Sequence, residues 1–192
     1  TRENKTISQF KSQLIGGGAR PNLFEVELTT LPAGIAWPAD NFRYMCKAAQ
    51  LPESTIANID IPFRGRIFKV AGDRTIAPWS ITVINDEDFR IRKAMEEWVD
   101  LIAKLENNLG ATDPNAYMVN AKVFQLGRGS TPSSKNNAGD RNAVLREYEF
   151  IDIFPTSVSS IDLSYDSSDT IEEFTVDFQV QYWYPERAGA GA

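Results

Sequence analysis

Any catalysis in this chain would have to run on carboxylates. The 192 residues contain no His, which removes imidazole bases, His-based triads and nearly all catalytic zinc sites. The single Cys, Cys46, lies between Met45 and Lys47. It leaves no intrachain disulfide or CxxC pair and reads as a small buried hydrophobe. Two Asp or Glu facing each other across a cleft can hydrolyse a glycoside. Asp152, Asp162 and Glu173 are the candidates, but each occupies an outward position in an alternating strand pattern. The run Asp86-Glu87-Asp88 could be taken for a metal site, yet acids at a helix start complement the helix dipole and are far commoner. Asp166-Ser167-Ser168-Asp169 is turn chemistry and has too few oxygen ligands in register for a calcium loop. Gly16-Gly17-Gly18 runs into Ala19-Arg20-Pro21, without the Gly-Lys-Ser/Thr of a phosphate loop, so it reads as a hinge. The expectation is no enzyme, no metal and no cofactor.

The basic residues point to binding instead. Arg64, Arg66, Lys69 and Arg74 surround the turn Phe63-Arg64-Gly65. A nucleic-acid face would need a basic surface with exposed aromatics. Here the net charge is −6, and Phe68 and Trp79 fall in apolar alternation. The cluster suits an acidic protein patch better, such as one within residues 147–177 of a neighbouring copy. Charge is in fact divided along the chain. Residues 1–146 hold 19 basic and 16 acidic groups, whereas residues 147–192 hold 1 basic and 10 acidic. The bland reading is a solvated acidic face; the sharper one is a surface that avoids a polyanion or docks on a basic neighbour.

The elements that must carry these residues are mostly strands. Hydrophobic residues make up 42% and charged residues 24%, as in globular proteins. No apolar run of about 20 residues spans a bilayer, and the first residues lack a secretion signal's apolar stretch. Residues 1–20 read as an arm, with Phe10, Leu14 and Ile15 in a short apolar turn. Residues 21–184 read as one domain, and 185–192 as a loose tail. Strands are expected at 22–28, 42–48, 55–61, 66–71, 79–84, 117–126, 144–154 and 158–165. Residues 31–41 and 127–142 read as loops, and Gly72 as a turn glycine with positive φ. One helix is expected at about 86–107, capped by Asn85, with Ile91, Met95, Trp98, Ile102 and Leu105 on one stripe. Thr170 to Tyr184 alternates without Gly or Pro and predicts a single strand of about 15 residues, far beyond the usual five or six. Such a strand in a lone molecule leaves an unpaired edge. Trp79, Trp98 and Phe178 are expected in the core.

Several runs resemble a known family. Ala19-Arg20-Pro21-Asn22-Leu23-Phe24-Glu25-Val26-Glu27 is similar to the first strand of the tail tube proteins of contractile-tailed bacteriophages. So are Val70-Ala71-Gly72-Asp73-Arg74-Thr75 and Trp79-Ser80-Ile81-Thr82-Val83-Ile84-Asn85-Asp86-Glu87. Cys46-Lys47-Ala48 before Leu51-Pro52, Phe154-Pro155-Thr156-Ser157-Val158 and the closing Gln181-Tyr182-Trp183 also match. The resemblance runs in order through nearly the whole chain. The 31–41 loop and the residues after Trp183 extend beyond it.

The resemblance implies a mainly β fold: two packed antiparallel sheets, sandwich- or barrel-like, with one flanking helix. It implies six copies joined edge to edge into β-lined rings that stack into the inner tube of a contractile tail. The implied partners are the chain itself, tail sheath protein, baseplate proteins and tape measure protein, with DNA passing through the lumen without specific binding. The implied location is the virion tail tube, assembled in the host cytoplasm. Tubes of bacterial contractile secretion systems look related. Ile59, Ile61, Phe63, Arg64, Arg66 and Arg74 are the candidates for contact between rings or subunits. Glu147, Glu149, Asp162 and Asp177 are the candidates for the lumen, where like charge would keep phosphates from binding. The alternative is a monomeric β-sandwich binding or adaptor module of a virion or contractile secretion machine.

Overall fold

The computed structural model describes residues 6–14, 18–28, 30–107, 109–127 and 144–185. The reading of Gly16 and Gly17 as a hinge, of most of the 127–142 loop and of the tail beyond Pro185 falls outside them. Among these residues nine strands and three α-helices follow in the order α1 (Ile7–Gln13), β1 (Phe24–Glu27), α2 (Ala39–Met45), β2 (Cys46–Ala49), β3 (Ser54–Phe63), β4 (Arg66–Ile76), β5 (Trp79–Ile84), α3 (Arg90–Ile102), β6 (Val119–Leu126), β7 (Val144–Val158), β8 (Glu173–Gln179) and β9 (Tyr182–Pro185), with one 3-10 turn at Pro114–Ala116 before β6.

Seven strands form one antiparallel path, β1-β6-β7-β8-β5-β2, with β9 added on β7. The path folds over through β7, which serves two sheets. Its residues up to Ile153 pair with β6, and Phe154 to Val158 pair with β8. Asp152 makes the change of sheet. It takes φ 53°, its N–H donates to Asn120 Oδ1 at 3.1 Å, and the register shifts there. A bulge of this kind bends a strand, and Asp tolerates the left-handed conformation. Phe150 and Ile153 consequently both face the core. The fold is mainly β, two antiparallel sheets packed on each other, as the resemblance implied.

Alternation accounts for the inner faces. Trp79, Ile81 and Val83 on β5 meet Phe174, Val176 and Phe178 on β8, and all six are buried. Across the interior, the rings of Trp79 and Phe150 stack with centroids 4.5 Å apart. α3 closes the remaining side with Ile91, Ala94, Met95 and Trp98. The Trp98 ring tilts against Phe178 at 5.8 Å, and its Nε1 donates to the Tyr117 carbonyl at 2.7 Å.

Several elements differ from expectation. The helix runs over Arg90–Ile102, not 86–107, because Phe89 at φ 53° sets its start. Asn85 is drawn off by Glu172, donating its N–H to the Glu172 carbonyl at 2.8 Å and its Nδ2 to Glu172 Oε2 at 2.9 Å. The 42–48 strand begins as helix α2, whose Phe42 is buried beside Trp37. Residues 159–172 hold no strand; the extended segment instead ends at Val158, after passing Pro155. The long strand from Thr170 splits into β8 and β9, which pair with different neighbours. Gly72 lies within β4 and is not a positive-φ glycine. It sits at a register shift against Ala57, where a Cβ would stand 3.0 Å from the Ala57 carbonyl oxygen. The Phe10–Leu14 turn is helix α1, closed by a capping box between Thr6 and Gln9.

Candidate assembly surface

β3 and β4 form a two-stranded sheet of their own. Arg64 at φ 46° and Gly65 at φ 82° make the two-residue connection, the twist that joins antiparallel strands without splaying them. Register then sorts the side chains. Ile59 faces Val70, Ile61 faces Phe68, and Phe63 faces Arg66. Paired residues share a face, so five apolar side chains line one side of the ribbon up to a basic tip. All five are exposed. The other side carries Asn58, Asp60 and Lys69 beside Pro62 and Ile67. A two-stranded ribbon with a bare apolar face is marginal in water, and a contiguous exposed apolar patch marks a contact surface.

The root of the ribbon is anchored. The Ala77 N–H donates to the Glu53 carbonyl, and Trp79 Nε1 donates to the Gln50 carbonyl at 2.9 Å. Arg74 donates to Ser54 Oγ at 3.0 Å, and its guanidinium lies 5.2 Å from the centroid of the Trp183 ring. Thus the structure separates the contact candidates. Ile59, Ile61, Phe63, Arg64 and Arg66 share the projecting part of the ribbon, whereas Arg74 braces its base within the chain. Arg64 stands over the Phe63 ring at 5.5 Å.

The four acidic candidates are not brought together. Glu147 and Glu149 lie on the outer face of the sheet formed by β1, β6 and β7, opposite Phe124 and Lys122. Lys122 Nζ meets Glu147 at 2.8 Å, and that hydrogen bond raises the lysine pKa. Glu149 accepts from the Tyr184 hydroxyl at 2.5 Å. Further along this face Arg43 of α2 bridges to Glu25 and Glu27, at 3.5 and 2.8 Å. Its pKa is raised, first by the Glu27 hydrogen bond. Asp177 is on the outer face of the other sheet, accepting from Ser80 Oγ at 2.5 Å. Beside it, Thr82 faces Thr175, and Lys47 pairs with Glu173 at 2.5 Å. That face is polar and nearly neutral. Asp162 sits apart, in the 159–172 loop. Among the carboxylates weighed for hydrolysis, Asp152 serves the bulge and Glu173 an ion pair. Trp79, Trp98 and Phe178 are buried.

Sequence reasoning underrated β4 and the loop after β7. The ribbon runs to Ile76 rather than stopping at Ala71, and Phe68 and Val70 share the apolar face with the residues named on β3. Alternation in Ile67–Val70 was the available signal. Leu163, Tyr165 and Ile171, in the loop, are also exposed.

The scaffold is mainly β and carries a separate two-stranded ribbon with an exposed apolar face, a build that suits a structural subunit. Residues 19–186 match the family model described as "Phage tail tube protein", and the chain belongs to that family, which makes it a component of the virion tail. It is 34% identical over 168 residues to tail tube protein gp19 of Enterobacteria phage T4, covering 88% of this chain and 92% of that protein. It is 23% identical over 177 residues to the tail tube protein of Serratia phage KSP90, covering 91% and 93%. Among solved structures, the fold is similar to a chain of the six-fold symmetrised anti-feeding prophage baseplate, with TM-score 0.62 at 11% identity, covering 88% of this chain and 95% of that one. It is also similar to a chain of the sheath–tube complex of an extracellular contractile injection system, PVC, with TM-score 0.52 at 14% identity, covering 95% and 99%.

Proposed function

We propose that copies of this chain close into hexameric rings and that the rings stack into the inner tube of a contractile tail, through which DNA leaves for the host. The observation that carries this reading is the apolar ribbon face, Ile59, Ile61, Phe63, Phe68 and Val70, all exposed in a single copy. A face of that composition is stable in water only when another surface covers it. A head-to-tail contact between identical copies closes into rings or runs on as a filament, according to its rotation. The end strands β1 and β2 of the sheet path offer backbone groups for edge-to-edge closure. A residual role for the split C-terminal ribbon is smaller than the sequence suggested, because β8 is paired on both sides and β9 on one.

Sheath, baseplate and tape measure proteins are the partners this reading requires, with assembly in the host cytoplasm. In it, residues 21–184 form the tube domain between an arm and a tail. An outer sheet face of this kind suits a lumen, because its cations, Arg43 and Lys122 on one face and Lys47 on the other, are paired with carboxylates and leave little to hold phosphate. Negative-stain microscopy of the purified protein tests the proposal. Hollow tubes of constant diameter are expected; a monomer at high concentration without tubes would favour a binding or adaptor module. Changing Glu147 and Glu149 on one outer face, or Asp177 on the other, to Lys should slow DNA ejection from particles with normal tubes. Unchanged ejection kinetics would remove the lumen assignment.

A further inference from the structure

β5 and β8 lie side by side, with Trp79 opposite Phe178 at one end and Ile84 opposite Glu173 at the other. The ribbon roots at the first end, through Ser54, Ile76 and the Trp79 indole. The 159–172 loop emerges at the second end, where the Ser159 N–H donates to the Thr175 carbonyl and the Asn85 N–H to the Glu172 carbonyl. β5 has six residues, so the two sites are separated by about 17 Å of strand. Their roots lie at opposite ends of the β5–β8 pair.

Their surfaces are complementary in two respects. On the ribbon, no ion pair engages Arg64, Arg66 or Lys69 among the described residues; Phe63 stands beside Arg64 and Arg66, and Lys69 lies on the opposite face. Residues 160–173 contain five acidic groups and no basic one. Two of the five are engaged within the chain, Glu172 with Asn85 and Glu173 with Lys47. Asp162, Asp166 and Asp169 are exposed and form no ion pair among the described residues. Between them stand Leu163, Tyr165 and Ile171, all exposed. This loop encloses an open concavity of about 930 Å³ whose lining includes Asp162, Leu163, Tyr165, Thr170 and Ile171.

We infer that the 159–172 loop of one copy is the acceptor for the β3–β4 ribbon tip of the next, a second copy of this same chain. The donor is basic and apolar, and the acceptor is acidic and apolar. Because they leave opposite ends of one sheet, pairing them joins copies head to tail along the strand direction, and every added copy presents a fresh acceptor. Unlike charges fix the register and speed encounter, while the apolar side chains supply most of the holding energy. This rests on the ring-stacking reading above, with the ribbon as the stacking element.

The experiment uses the full chain and reads the critical concentration for tube formation by sedimentation. Variants are the ribbon reversal Arg64→Glu, Arg66→Glu and Lys69→Glu, the loop reversal Asp162→Lys, Asp166→Lys and Asp169→Lys, and a chain carrying both. Each reversal alone is expected to raise the critical concentration about tenfold or more, and the combined chain to return to within about threefold of the parent. A loop reversal that polymerises like the parent, beside a ribbon reversal that does not, overturns the acceptor and leaves the stacking role of the ribbon standing. Parent-like behaviour of both overturns the two together. Failure of the combined chain to recover overturns the pairing. Because a triple reversal can disturb folding, the unmodified protein supplies a second measurement. Carbodiimide coupling of assembled tubes should join Lys69 to Asp162, Asp166 or Asp169, and coupling of unassembled protein should not. Coupling of Lys69 in tubes only to other carboxylates overturns the inference.

Discussion

The ribbon face should matter to assembly and hardly at all to the single folded chain, and Phe63→Ser with Phe68→Ser separates the two. Phe63 is 65% and Phe68 is 64% exposed in one copy. Fully burying a Phe is worth about 1.5–3 kcal/mol, so covering the remaining two-thirds contributes about 1–2 kcal/mol each. The pair then contributes about 2–4 kcal/mol to each stacking contact, or roughly 30-fold to 1,000-fold in critical concentration. The loss of β-propensity in an exposed ribbon is small, at most about 1 kcal/mol. Sedimentation should show a double variant that stays unassembled at concentrations where the parent forms tubes. Chemical denaturation of the unassembled protein should show both chains unfolding at nearly the same midpoint. Parent-like assembly would mean that these rings are not covered by a neighbour. An unfolding free energy lowered by several kcal/mol would mean that they are held within the chain, and either result refutes the reasoning.

Other perturbations read the scaffold. Trp98→Ala removes a fully buried ring and its hydrogen bond to Tyr117, and denaturant unfolding should show a loss of about 3–5 kcal/mol. Gly72→Val forces a side chain into the 3.0 Å approach to the Ala57 carbonyl, so amide exchange should quicken at 56–59 and 70–74 and stay unchanged in β5 and β8. Burial pushes the Cys46 thiol from about 9 up to about 12. The neutral thiol is favoured in the folded state, so its contribution is whole below pH 9 and is lost as pH rises toward 12. The stability of Cys46→Ala should therefore fall less steeply than that of the parent between pH 9 and 12. Native Cys46 should also resist a thiol reagent at pH 8 until the chain is unfolded.

What the sequence made legible depended on whether one period described one set of partners. β5 reads Trp79, Ile81, Val83 against a polar face, and its neighbours on both sides bury the same face, so alternation found it. The same alternation misled at the C-terminus. Phe178, Val180 and Tyr182 keep period two across Gln181, yet the chain leaves β5 there and joins β7, with the Gln181 N–H donating to the Ile151 carbonyl. Periodicity reports which way side chains point and is silent about which strand lies alongside. β7 shows the converse. Asp152 breaks the alternation by one residue, and the break is what carries the strand from one sheet to the other. In α2 the sequence Ala39–Met45 is too short for a helical period, and Phe42, its one buried residue, fits a strand equally well.

The exposed ribbon face was legible for a different reason. Charge and apolarity were read at Ile59, Ile61, Phe63, Arg64 and Arg66 without knowing the partner, because those residues meet the ordinary rules for a strand and fail the rule for a free one. The failure is the information. Inside the sandwich every large apolar side chain finds another, as Trp79 does with Phe150 and Trp98 with Phe178. On the ribbon and in the 159–172 loop, Phe68, Leu163 and Tyr165 stay largely exposed to water. A monomer gains nothing from either feature and risks aggregation from both. One ordered polymer that covers the ribbon with the loop removes the two liabilities in a single contact, whereas two unrelated partners would have to remove them separately. That economy follows from placing donor and acceptor at opposite ends of the β5–β8 pair, where no copy can satisfy itself.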